Sequence, residues 1–263
     1  MKQFGFPIPR WRYGLGLIVA CCLWANFPQH VHAADADAMI KAFVKSVQND
    51  ASLDDDDKQR IQETVKRLSR DERGKRMVIT EGLRTGWKAF DQANRDLGNE
   101  RYADAVKKLT PLMDSRNRFL AAASRFLLAR VYVMEERFED ALPLLTDLIE
   151  NRAKDSMQIG DAMYAKATVQ IQMLERKAAE ETLQAFLDKF PDAPARMRKA
   201  AMNQLDDLAN VDFGSLADIG DRMDVSRRQL VKADSGKKTQ NVQDEVVAML
   251  SELIDEMEKK GGT

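Results

Sequence analysis

The chain has 263 residues, 41 basic and 42 acidic, a formal net charge of −1, and only two cysteines and two histidines. Without a basic excess it lacks the electrostatic footprint of a nucleic-acid binder. Cys21, Cys22, His30 and His32 all fall in the first 32 residues, so thiol and imidazole chemistry is absent from the rest of the chain. Glycine and proline are scarce and no stretch alternates with period two, so everything after the leader reads as helix.

Residues 1–33 read as a secretory signal. Lys2, Arg10 and Arg12 make a basic start, and Tyr13 to Ala25 is a mostly apolar run of 13 residues. That is short of the about 20 residues a membrane span takes, but it suits a signal core. Val31-His32-Ala33 ends in a small residue before the polar Ala34-Asp35-Ala36-Asp37, which places cleavage after Ala33. A second possibility is the lipobox-like Ile18-Val19-Ala20-Cys21, which would leave Cys21 lipidated. Leu23 and Trp24 behind it are unlike the polar tether of a lipoprotein. Cleavage after Ala33 would take the net charge to −4 and leave no cysteine or histidine. Cysteine nucleophiles, Ser-His-Asp triads and His or Cys zinc sites are then excluded. The expected location is periplasmic or secreted.

Residues 34–81 form an N-terminal helical segment. Met39, Ile40, Phe43, Val44 and Val47 share one helical face. Ser52-x-x-Asp55 resembles a capping box, and Asp54 to Asp57 suit the positive end of a helix dipole. The helix that follows carries Ile61, Val65 and Leu68. Ser69-x-x-Glu72 is a cleaner capping box and predicts a long helix reaching Leu97.

Residues 82–211 contain a spacing that occurs three times. Phe90, Ala93 and Ala105 return as Phe126, Ala129 and Ala141, then as Tyr164, Ala167 and Ala179, at offsets of 36 and 38 residues. Leu109, Leu145 and Leu183 follow in step, as do Leu112, Leu148 and Phe186. Small residues let two antiparallel helices approach closely, and the leucines fill the adjoining layer. Asn99 is expected to cap the second helix of the first unit, and Asp155-x-x-Gln158 to open the third. Tyr102 and Phe138 mark the turns of the first two units, and Pro191 and Pro194 close the third.

This constellation resembles the tetratricopeptide repeat, and Leu183 to Pro194 is similar to repeats of bacterial envelope tetratricopeptide proteins. The third unit departs from the pattern, with Arg176 in place of Tyr102 and Phe138 and Gln170 in place of Tyr132. Such units stack, because one hairpin cannot bury its own apolar face. The expectation is an all-α chain: an α-solenoid of about three tetratricopeptide-like hairpins with flanking helices. The resemblance also implies that the first helix of each unit lines a concave groove for an extended peptide or partner helix. Phe90, Phe126 and Tyr164 are the candidate apolar groove residues, with Asn94, Arg130 and Thr168 one turn on. The alternative for each aromatic is to fill the space between stacked units.

Residues 212–263 read as a C-terminal hairpin, with helices at Phe213 to Lys232 and Asn241 to Lys259 around Asp234-Ser-Gly236. It resembles hairpins of secreted bacterial helical proteins with no assigned activity. It would either cap the solenoid or leave an apolar stripe to pair with another chain.

Three further chemistries lack what their sites require. Ser235-Gly236-Lys237-Lys238-Thr239 lacks the earlier glycine of a phosphate loop, since Val231 stands there, and no strand precedes it. Asp54 to Asp57 are consecutive, whereas an EF-hand needs alternating carboxylates and a mid-loop glycine. A carboxylate-based envelope hydrolase would need a walled cleft that raises one pKa. The expected function is therefore a non-enzymatic scaffold without metal or cofactor, binding a protein or peptide partner in the periplasm or at the cell envelope. The alternatives are a structural component that self-associates through the hairpin, and the hydrolase.

Overall fold

The computed structural model describes residues 33–261, so the leader and the candidate lipidation at Cys21 lie outside the described residues. Among those described, twelve α-helices and two short 3-10 turns make up the regular structure, and the fold is all-α. Helix α1 (Ala33–Gln48) lies against the pair α2 (Asp55–Leu68) and α3 (Glu72–Gly86). Phe43 of α1 is fully buried and meets Phe119 edge-on at 5.5 Å between centroids. Gly82 of α3 makes this possible: a Cβ there would come within 2.7 Å of the Phe43 ring.

Four helix boundaries before the second hairpin differ from expectation. Asp54, not Ser52, caps α2, its carboxylate accepting from the Asp57 N–H at 2.7 Å, while Ser52 bonds Asp50 instead. Asp71 caps α3 in place of Ser69. The long helix predicted to reach Leu97 breaks at Trp87, whose extended backbone ends α3 and starts α4 (Lys88–Gly98). Asn99 ends α4 rather than capping α5 (Tyr102–Leu109).

From α4 onward the chain folds as successive hairpins: α4 with α5, α6 (Arg118–Met134) with α7 (Phe138–Asn151), and α8 (Ile159–Gln172) with α9 (Arg176–Lys189). Helix α5 also packs on α6, and α7 on α8, which stacks each hairpin on the next. The spaced small residues lie at these contacts. Ala93, Ala105, Ala129, Ala141, Ala167 and Ala179 are fully buried, as are Leu109, Leu145 and Leu183. A side chain such as Leu145 contributes about 1.5–3 kcal/mol by leaving water.

Asn117 joins the stack to the N-terminal segment. Its side-chain oxygen accepts from the Phe119 and Leu120 N–H groups at the start of α6, and its amide donates to Asp50 at 3.1 Å. The third unit does not open on Asp155: a 3-10 turn spans Ala153–Asp155, and α8 starts four residues after Asp155. Pro194 closes the third hairpin and also opens α10 (Ala195–Ala209), a helix the sequence reading did not separate out. Met197 and Ala201 of α10 are buried with Leu183 and Phe186, so α10 covers the last apolar face of the stack.

Each hairpin turn has the same geometry. Glu100, Glu136 and Leu174 adopt left-handed backbone, with φ of 58°, 54° and 62°. The next N–H returns to the carbonyl five residues earlier: Arg101 to Asp96, Arg137 to Tyr132 and Glu175 to Gln170, each at 2.8 Å. These are Schellman closures, and they recur at the 36- and 38-residue offsets of the sequence repeat. The C-terminal hairpin, α11 (Leu216–Val231) and α12 (Lys237–Gly261), turns the same way through Ala233, φ 56°.

Candidate functional site

The six candidate groove residues separate into a buried group and a half-buried one. Phe90, Phe126 and Tyr164 are 3%, 5% and 2% exposed, each inside a different apolar cluster. The Tyr164 ring lies against Phe186 at 6.1 Å. Thr168 is buried too, its hydroxyl donating to the Tyr164 carbonyl at 3.0 Å. The expectation that these rings and Thr168 offer themselves to a partner is corrected: they fill the packing between helices, because the first helices bury more than the narrow alanine stripe. Asn94 on α4 and Arg130 on α6 remain half-buried and within reach of solvent.

Close to Arg130 the structure adds a residue that the sequence did not flag. Asp161, in the first turn of α8, keeps part of its surface open. Burial among the surrounding atoms pushes its carboxyl up to about 7, against the opposite pull of the Arg130 guanidinium. Arg130 and Asp161 therefore bring together, from the first helices of two adjacent hairpins, a fixed cation and a carboxyl that changes charge near neutrality. An aspartate in a first turn is the commonest of helix-dipole partners, so nothing in its position announced this.

The other ionic contacts of the stack are structural. Lys108 at 2.6 Å and Arg101 at 2.5 Å hold the Asp96 carboxyl below its ordinary value. Burial would raise Asp147, but bonds from Arg152 and Asn151 and the nearby Arg125 hold it low.

The C-terminal hairpin docks on the turns of the second and third hairpins by polar contacts. Arg176 reaches Asp218 at 2.5 Å, and Arg227 reaches Glu136 at 2.9 Å. Gln229 and Lys232 both meet Glu139 at 2.6 Å. Arg228 donates to the Gln172 carbonyl at 2.5 Å and lies over the Phe138 ring at 5.1 Å. Asp218 is fully buried, yet the Gly214 N–H together with Arg176 and Arg222 holds its carboxyl below the usual range against the effect of burial. The departures of the third unit fall at this contact and at the paired helix. Arg176 replaces an aromatic in order to bond Asp218, and the buried Gln170 accepts from the Thr182 hydroxyl at 2.8 Å.

Among the described residues no helix is long and apolar enough to cross a membrane, and no three acidic, cysteine or histidine side chains are grouped to hold a metal ion. Comparison with protein-family models, with curated proteins and with solved structures finds no match to this chain.

Proposed function

We propose that this chain is a non-enzymatic scaffold of tetratricopeptide type, exported by the leader at residues 1–33, that holds a protein or peptide partner at the cell envelope. The observation that carries the reading is the stacking of the hairpins α4 to α9, which holds Arg130 and Asp161 on successive first helices near enough for their charges to interact. A stack of hairpins fixes such groups in space without ordering cost at binding. Because the aromatics are core, recognition rests on polar groups: Arg130, Asp161 and, one hairpin away, Asn94. A cationic group of the partner entering beside Asp161 would draw the carboxyl into its ionised form, so binding would release a proton.

The test is a crosslinking pull-down from envelope extracts with the parent chain and three variants, Asp161→Asn, Arg130→Gln and Asn94→Lys, each first shown by circular dichroism to keep its helices. The expected result is one discrete partner captured by the parent and reduced at least about tenfold in the folded variants, a loss of roughly 1.4 kcal/mol. The same partner captured equally by the parent and by every folded variant would overturn the groove reading.

A further inference from the structure

Eight of the ten large apolar side chains most exposed among the described residues lie between Phe213 and Met257, in or beside the C-terminal hairpin. They are not scattered. On α11, Leu216, Met223 and Leu230 follow one another at intervals of seven. On α12, Val247 and Ile254 are seven apart and Met257 follows three on, positions of a heptad seam. Val246, Met249, Leu250 and Leu253 instead close on Ile219 to form the core of the hairpin. Helix α12 therefore carries apolar side chains beyond those the hairpin core uses.

The two unused rows share a side. At about 100° per residue, the Arg222–Glu245 ion pair marks one flank of the packed helices, and the exposed rows of both helices fall on the other. Asp218, Arg228, Gln229 and Lys232 dock on the stack from elsewhere around α11, and Arg227 reaches Glu136 from beside the apolar row. The row nonetheless stays open to solvent, Leu216 being 70% and Met223 54% exposed. At about 100 Å² for each half-exposed large side chain, the rows present roughly 600 Å². That is the upper end of the largest patch a typical monomer leaves in water, and two such faces together make roughly 1,200 Å², the lower end of a stable interface.

Independently of the scaffold reading, we infer that a second copy of this chain covers this face, two hairpins joining about a two-fold axis into a four-helix bundle. The face is two helices wide and repeats at heptad spacing, so two copies complete a bundle core.

Sedimentation velocity on the full chain from about 1 to 100 µM tests this. The parent is expected to sediment at twice the chain mass at the upper end. Val247→Glu with Ile254→Glu is expected to remain monomeric throughout. Both positions are exposed, so the fold is not at risk. A parent that stays monomeric at about 100 µM, or a dimer unaffected by the two glutamates, overturns the inference. So does a monomeric chain that floats with phosphatidylglycerol vesicles and loses that property in the double glutamate variant, since the face would then serve a lipid surface.

Discussion

Asp161 ties the candidate site to a pH dependence whose sign is fixed by its environment. Its carboxyl is pushed from 3.8 to about 7 by burial, with Arg130 pulling the other way. Between those values the folded chain keeps a proton that the unfolded chain has released. Stability from this group therefore falls as pH rises through the window and is level above about 7. Asp161→Asn removes the titration. In urea denaturation the parent and the variant should be alike near pH 4, with the variant more stable near pH 8 by about 1–3 kcal/mol, a figure reduced for the carboxyl's remaining contact with water. Asp96, Asp147 and Asp218 behave oppositely: their folded values are lowered, so their contribution is present above the ordinary carboxylate range and lost as pH falls below it. The two windows do not overlap. Parallel stability curves for parent and variant across pH 4–8 would mean that Asp161 titrates normally and that the site has no carboxyl poised near neutrality.

At the scale of the element, the turn that closes each hairpin stores strain where glycine would relieve it. Leu174 adopts φ 62° with a branched apolar side chain, and left-handed backbone costs an L-residue about 1–2 kcal/mol that glycine escapes. Leu174→Gly should therefore raise the denaturation midpoint, for a net gain of about 0.5–1 kcal/mol once the flexibility of glycine in the unfolded chain is counted. An unchanged or lower midpoint would show that the Leu174 side chain contributes packing that outweighs the strain. These turns also explain what the sequence could and could not disclose. The alanines and leucines were legible because a layer between close helices admits one size of side chain, and that size recurs every 36 or 38 residues. The turns were not, because Glu100, Glu136 and Leu174 occupy a position that usually signals itself with glycine. Trp87 hid a helix break because neither its propensity nor a neighbouring proline interrupts the apolar period. For Phe90, Phe126 and Tyr164, equal spacing establishes that they occupy equivalent places. It does not say whether that place faces the core or a groove, which depends on how wide a face each first helix buries.

At the scale of the whole molecule, the stack and the C-terminal hairpin are held by different forces. The hairpins α4 to α9 share apolar layers with one another and with α10, whereas the hairpin's apolar cluster, built on Ile219, Val246 and Met249, is its own. What joins the two is a row of ion pairs and hydrogen bonds from α11 to the turns around Glu136, Glu139, Gln172 and Arg176. Apolar contacts are indifferent to salt or strengthened by it. Exposed ion pairs are screened, as the Debye length shrinks to about 3 Å at 1 M. Arg227–Glu136 and Lys232–Glu139 are open to water and should each contribute under about 1 kcal/mol. Removing one partner of Arg176–Asp218, whose carboxylate is fully buried, should cost more, because a buried charge is left uncompensated. Raising sodium chloride from about 0.05 to 1 M should therefore speed amide exchange in α11 by about ten- to a hundredfold, while exchange in α6 to α9 holds. Asp218→Ala should have the same local effect at low salt, because removing the carboxylate leaves Arg176 and Arg222 facing each other across the contact. Measured at low micromolar concentration, the exchange reports docking within one chain, and the opposite response to salt separates it from pairing through the apolar flank. If α11 instead exchanges in step with α6 to α9 at every salt concentration, the hairpin and the stack open as one cooperative unit, and the polar row is reinforced by contacts that do not depend on charge.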